Sequence, residues 1–329
     1  MQWIKGISPI SFPSLGIEIN PVEGFTLGNF SIRFYGVIIA VGLLLACIYG
    51  LRRKKTFGLT EDEIIDGALC IIPFAIICAR VYYCIFAWHE FKANPISVLY
   101  IWNGGIAIYG GVIGAAIGIV VYCLVRKIPI GTALDITSLG FLIGQAIGRW
   151  GNFFNREAYG AQTESFLRMG LMLTEERKIT TQMHYYHPTF LYESLWNALG
   201  FVLLHFVSKR RKYDGQVALG YVAWYGLGRT FIEGLRTDSL YWGPFRVSQM
   251  LAAISCFAAV AVLVIMAFRS HAPEKLYVNR VAAMEAQAAA NANEEPNVGV
   301  GALDDPSETE EPAEAPAEEA ESPETTEET

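Results

Sequence analysis

The chain has 329 residues, of which 53% are hydrophobic and only 17% charged. Soluble globular domains carry about 25% charged residues, and they do not need apolar runs as long as those found here, so a water-soluble enzyme and a nucleic-acid-binding protein are excluded. The formal net charge of -7 hides an asymmetry: all 25 Lys and Arg precede residue 281, whereas 15 of the 32 acidic residues follow it.

Residues 1–28 are mixed in character and contain Pro9, Pro13 and Pro21, which predicts an irregular or surface-lying segment. They lack the basic start and apolar run of a signal peptide, so insertion is expected to rely on the first spanning helix. A membrane-crossing helix needs roughly 20 apolar residues. Seven windows meet this expectation: Ile32–Tyr49, Ile64–Phe86, Gly105–Val125, Ala133–Phe153, Thr189–Val207, Val217–Leu235 and Val247–Phe268. The predicted fold class is an all-α, polytopic membrane bundle of about seven helices. The segment 156–186 is the longest connection between spans, and composition fits a small folded arm or lid as well as a plain surface loop. The six cysteines all fall inside predicted spans with no CxxC spacing, as small buried apolar side chains would.

Basic clusters at 52–55, 126–127 and 209–212 follow spans one, three and five. Cytoplasmic loops carry an excess of Lys and Arg. The N-terminus is therefore expected outside, and the C-terminus inside. Beyond residue 280 the chain turns to Ala, Glu, Pro, Thr and Ser, a composition that cannot bury apolar surface. The predicted organisation is a membrane domain over 1–280 and a disordered, acidic cytoplasmic tail over 281–329.

Ionisable residues inside spans are costly and mark function. Here they are Arg80, Arg149, Arg229 and Glu233, and the topology puts all four in the outer halves of their helices. Tyr35, Tyr109 and His187 fall at the same depth. Asp66 and Asp135 fall near inner helix ends, within reach of water. Tyr225, Arg229, Glu233 and Arg236 are spaced four, four and three, which places them on one helical stripe. Arg229 and Glu233 can pair there, either as a structural brace or as part of a site. The stretch Gly144–Gly160 sets Arg149, Asn152, Asn155, Arg156 and Glu157 among glycines, and it must line protein or water rather than lipid. The glycines of 104–118 fit tight helix packing or a chain bend beside a headgroup. Buried arginines beside glycine-broken helices would also suit a transporter or channel for an anion or lipid, although no inverted repeat is visible. A scaffold displaying the acidic tail would leave the arginines unexplained.

These residues also carry a family resemblance. Gly148-Arg149-Trp-Gly151-Asn152-Phe153-Phe-Asn155-Arg-Glu157-Ala-Tyr-Gly160 resembles, in full, the signature of the bacterial phosphatidylglycerol–prolipoprotein diacylglyceryl transferases. The likeness extends to Ile32-Arg33-Phe-Tyr35-Gly36, to Gly104-Gly105 with Gly110-Gly111, to His187-Pro188 through Tyr192-Glu193, and to Tyr225 through Arg236. It covers roughly residues 8–270. It implies an inner-membrane enzyme that moves a diacylglyceryl group from phosphatidylglycerol to the lipobox cysteine of a preprolipoprotein, with glycerol 1-phosphate leaving. The resemblance implies catalytic roles for Arg149, Arg229, Tyr109, Glu157 and Glu233. It implies substrate contacts at Tyr35, Arg80, Asn152, Asn155, Gly160, His187, Tyr225 and Arg236. Tyr109 stands where enterobacterial forms have a histidine favoured as base. A tyrosine has an ordinary pKa near 10, which suits it to placing the headgroup rather than taking a proton. Arginine suits the leaving phosphate, because it stays charged and its fork matches two oxygens. No His/Asp/Glu set has ligand spacing, so no metal or cofactor is expected, and the protein is expected to act as a monomer.

Overall fold

The computed structural model describes residues 2–28, 30–101, 104–174, 176, 178–236, 241–243 and 245–294. Nine α-helices are found among them: α1 Phe34–Phe57, α2 Glu61–Phe86, α3 Trp88–Phe91, α4 Ile108–Arg126, α5 Ile130–Asn155, α6 Thr189–Lys209, α7 Gln216–Glu233, α8 Val247–Ala267 and α9 Tyr277–Glu294. Six of these (α1, α2, α4, α5, α6 and α8) are long and apolar enough to cross a membrane. Helix α7 is not among the six, because Arg229, Glu233, two tyrosines and three glycines dilute its apolar run. The bundle leaves large apolar side chains such as Leu69, Ile85, Val125, Phe231 and Phe257 exposed along its helices. A soluble protein could not carry so much exposed apolar surface. The protein is a multi-pass membrane protein.

Helix ends follow local chemistry. Gly104 and Gly105 take φ of 88° and 76°, so α4 cannot begin at Gly105 as its apolar run suggested, and it starts at Ile108. Thr60 and Glu63 form a reciprocal capping box at the start of α2. Helix α1 packs along α5, α2 along α4, and α7 along α8, with α5 joining the two sides through α6 and α7. Helix α7 starts at Gly215 without a side-chain cap of its own. Asp135 of α5 supplies it across the bundle, accepting from Gly215 N and Ala218 N, each at 2.9 Å. Asp135 is fully buried, not wetted at a helix end as expected, because its lone pairs are spent on those orphan donors. The six cysteines are free, and Cys70 is exposed on its helix rather than buried.

The N-terminal 28 residues are not irregular. They form β1 Gln2–Ile4, β2 Ile10–Phe12, β3 Ile17–Ile19 and β4 Gly24–Leu27, and β5 Phe30–Arg33 follows. β1, β4 and β5 make one antiparallel sheet. The segment 156–186 is a folded element: β6 Met169–Leu173 and β7 Ile179–Tyr186 join β2 and β3 in a four-stranded sheet of order β3-β2-β6-β7. Ile10, Leu171, Leu173 and Tyr186 are fully buried, and they pack with Phe153 and Phe190 at the ends of α5 and α6. Arg156 fastens the two segments. Its buried guanidinium donates to the carbonyls of Ser8, Phe154 and Pro21, each at 2.6 Å, and to Asn20 Oδ1 at 3.0 Å. A short hairpin, β8 Tyr241–Trp242 and β9 Phe245–Arg246, precedes α8.

Helix α9 continues past residue 281, where composition predicted no structure, and its alanines favour helix. The remainder of the expected acidic tail, 295–329, lies outside the described residues.

Candidate active site

The ends of α5, α6 and α7 nearest the two sheets bring together ionisable side chains from separate parts of the sequence. Ser194 donates its hydroxyl to Ala146 O at 2.7 Å and so fixes α6 against α5. That contact sets Glu193 opposite Arg149, and the two form a direct ion pair. Glu193 is 4% exposed. Its other oxygen lies 3.5 Å from Arg229 Nη1 and 3.3 Å from Arg236 Nη1. One buried carboxylate therefore collects three guanidinium groups. Arg229 also pairs with Glu233 at 2.5 Å, across one turn of α7, as the four-residue spacing predicted. Arg229 thus bridges two carboxylates on two helices. Arg149, Arg229 and Arg236 thus share Glu193, and Arg229 is held on its other side by Glu233.

Glu193 was not among the residues singled out from the sequence. It stands in the stretch His187–Glu193 that carries the family resemblance, inside the apolar window Thr189–Val207. A carboxylate five residues into that helix is itself the signal that could have identified it.

The signature stretch extends the cluster. Arg149 Nη1 lies 3.4 Å from Asn152 Oδ1, Asn152 donates to Glu157 Oε1 at 2.9 Å, and Asn155 approaches the same oxygen at 3.4 Å. Glu157 therefore orients the two asparagines. Helix α5 ends here because Arg156 and Ala158 adopt left-handed φ of 49° and 56°, which turns the chain back over its own last turn. Tyr35 of α1 lies against Gly151, where an added Cβ would come within 2.7 Å of the ring. Tyr225 stacks on Tyr221 and shares a narrow crevice with Glu193 and Arg229.

The backbones of Gly160, His187 and Arg236 are knotted together. Gly160 bridges Arg236, Gly160 N donates to His187 O at 2.9 Å, and Ala161 N donates to Leu235 O at 2.7 Å. A Cβ on Gly160 would come within 2.8 Å of both His187 Cβ and Leu235 O, so glycine alone fits. Burial lowers the pKa of the His187 imidazole from its ordinary value, and its Nδ1 lies 3.4 Å from the Tyr192 hydroxyl.

The end of α7 is closed from α8. Its last carbonyls lack partners within the helix. Gly234 N and Leu235 N take those of Phe231 and Ile232. Gln249 takes Thr230 O at 2.8 Å, and the Arg246 guanidinium takes Glu233 O. Every carbonyl of the turn that carries Arg229 and Glu233 is thereby held.

Two residues stand apart from the cluster. Arg80 is 7% exposed, and its guanidinium is taken up by the carbonyls of Ser97, Val98, Gly104 and Gly105 at 2.7–2.8 Å. It braces the loop before α4 and sits over the Phe91 ring. Tyr109, on the first turn of α4, is 61% exposed, with its ring 6.5 Å from that of Tyr82.

The family model described as prolipoprotein diacylglyceryl transferase matches residues 23–265. Proteins named phosphatidylglycerol–prolipoprotein diacylglyceryl transferase are similar over most of their length. One from Listeria monocytogenes serotype 4a (strain HCC23) is 40% identical over 265 residues, which is 79% of this chain and 95% of the relative. One from Ligilactobacillus salivarius (strain UCC118) is 45% identical over 256 residues, 76% of this chain and 93% of the relative. One from Limosilactobacillus reuteri (strain DSM 20016) is 42% identical over 270 residues, 80% of this chain and 96% of the relative. With a model match across most of the membrane bundle and this identity along nearly the full length of the relatives, the chain belongs to the prolipoprotein diacylglyceryl transferase family.

Proposed function

We propose that this chain transfers the diacylglyceryl group of phosphatidylglycerol to the lipobox cysteine of preprolipoproteins, with the Glu193-centred arginine cluster as the phosphate site. The observation that carries the assignment of the site is the convergence of Arg149, Arg229 and Arg236 on one buried carboxylate. The cysteine thiolate attacks the glyceryl carbon that bears the phosphate ester. A carbon–sulfur bond forms as the carbon–oxygen bond breaks, and glycerol 1-phosphate departs with the electron pair. Arg149 and Arg229 turn their remaining N–H groups to the phosphate oxygens. Contacts that tighten as charge builds on the leaving group lower the barrier rather than merely hold the lipid. Glu193 and Glu233 fix the two forks, and Glu157 orients Asn152 and Asn155 toward the glycerol hydroxyls. A thiol with a reference pKa near 8.5 ionises more readily beside cations. Tyr35, Tyr225 and Arg236 line the entry of the headgroup, Gly160 and His187 shape its rim, and Arg80 acts through the loop it braces. Tyr109 meets the headgroup from α4.

The enzyme resides in the bacterial inner membrane as a monomer, with residues 1–280 as the catalytic domain and 281–329 as an acidic cytoplasmic tail. Helix α7 is a further crossing, its polar groups shielded by α5, α6 and α8, and the basic clusters at 52–55, 126–127 and 209–212 put the N-terminus outside. Cysteine introduced by Arg126→Cys is then shielded from an impermeant thiol reagent in intact cells, and cysteine introduced by Thr174→Cys is labelled. The reverse pattern would invert the topology. The activity is tested with purified protein in vesicles and a lipobox peptide followed by mass. Transfer is expected with phosphatidylglycerol and a cysteine peptide, and none with phosphatidylcholine or a serine peptide. Absence of transfer from phosphatidylglycerol by folded protein would refute the reading.

A further inference from the structure

Helices α6 and α7 carry the same short pattern, a tryptophan followed four residues later by glycine: Trp196 with Gly200, and Trp224 with Gly228. The two copies face each other. The indoles stack with centroids 4.3 Å apart and planes 14° from parallel. Trp196 Nε1 donates to Trp224 O at 3.0 Å, and Trp224 Nε1 donates to Trp196 O at 2.9 Å. Each ring reaches the opposing backbone only because the glycine there has no side chain. A Cβ on Gly228 would lie 2.1 Å from Trp196 Nε1, and one on Gly200 would lie 2.3 Å from Trp224 Nε1. The arrangement is reciprocal, and it fixes both the distance and the axial register of the two helices. A helix slipping by one residue would move 1.5 Å, enough to break both hydrogen bonds.

The clasp sits one turn from the ion cluster on each helix. Trp196 is three residues beyond Glu193 and so shares its face, while Gly228 immediately precedes Arg229. Trp196 and Gly228 also line the same crevice as Glu193, Arg229 and Tyr225. Nothing in phosphate chemistry calls for indoles here, and burial of apolar area alone would not need two matched glycines. We infer that Trp196, Trp224, Gly200 and Gly228 form a positioning clasp that sets Glu193 against Arg229 for the transfer reaction. The inference rests on the reading of that cluster as the phosphate site. The four residues act through the register of α6 on α7.

Two variants test this. Trp196→Phe removes one N–H donor and shrinks the stacked surface, and Gly228→Ala drives a methyl into the indole edge. Both are measured beside Glu193→Gln, on protein that elutes as a single species in detergent. Two closely stacked indoles give an exciton couplet in circular dichroism, and that couplet is expected to collapse in both clasp variants. Turnover is expected to fall about tenfold or more with KM for phosphatidylglycerol within about threefold, since small misplacements of a fixed constellation cost rate rather than binding. Loss of the couplet with unchanged turnover, while Glu193→Gln is inactive, would overturn the clasp and leave the phosphate site standing. Full turnover by Glu193→Gln would instead bring down the reading of the site itself. If Gly228→Ala does not fold, Trp196→Phe decides alone by the same two readouts.

Discussion

Glu193→Gln is expected to lower single-turnover transfer by about 100-fold or more, while the protein stays folded. The substitution keeps the shape of the side chain and removes its charge. Arg149, Arg229 and Arg236 then face a neutral amide in place of the carboxylate they share. The side chain is nearly fully buried, so water cannot replace the missing charge. Breaking a buried ion pair from one side costs about 3–5 kcal/mol, and here three partners lose the same anchor. The fold is held by contacts the change leaves intact, notably the Ser194 hydroxyl on Ala146 O. Glu233→Gln is expected to have a smaller effect, because Arg229 keeps Glu193. The pair is read by single-turnover transfer to a lipobox peptide, with gel filtration as the control for folding. Wild-type turnover by Glu193→Gln would show that the carboxylate is ornamental to the reaction.

The lysine variants of the two central arginines carry the next largest effects. Arg149→Lys keeps a positive charge but loses the fork that can hold Glu193 and a phosphate oxygen together. A loss of about 100-fold corresponds to about 2.7 kcal/mol of transition-state stabilisation. Arg229→Lys is expected to fall as far, for a geometric reason that its four-residue spacing from Glu233 did not reveal. Arg229 spans Glu193 through Nη1 and Glu233 through Nη2, and one ammonium cannot reach two carboxylates on different helices while also meeting a ligand. Arg80→Lys offers a contrast. Its guanidinium holds loop carbonyls rather than a carboxylate, so its loss is expected to loosen the loop before α4.

The transmembrane framework was legible because lipid imposes a simple rule: apolar runs of bilayer length become helices. The Arg229–Glu233 pair was legible because both partners lie on one helix, where spacing fixes distance. Contacts between helices were not. No stripe on α5 or α6 announces that Arg149 and Glu193 meet, since that distance is set by how the two helices pack. The strands of the first 28 residues were hidden as well. β2 pairs with β6 far along the chain, and although β1 with β4 and β2 with β3 pair within the segment, strands of three or four residues are too short for an alternating pattern to show. Asp135 lies near an inner helix end, where the sequence suggests water, but what surrounds it is the amide donors that open α7, and these belong to another helix. The two tryptophan–glycine repeats could be read in the sequence, but only the facing of α6 and α7 makes them a clasp.

The claim that the arginine cluster stabilises the departing phosphate is tested most directly by comparing binding with chemistry in the same folded variants. Phosphatidylglycerol binding and single-turnover transfer to a lipobox peptide are measured side by side for Arg149→Lys and Arg229→Lys. The predicted result is lipid binding within about threefold of the parent with transfer slowed about 100-fold, the pattern of an interaction made only in the transition state. Full transfer by both lysine variants would contradict the clamp, and equal losses of binding and transfer would make the arginines a docking site alone.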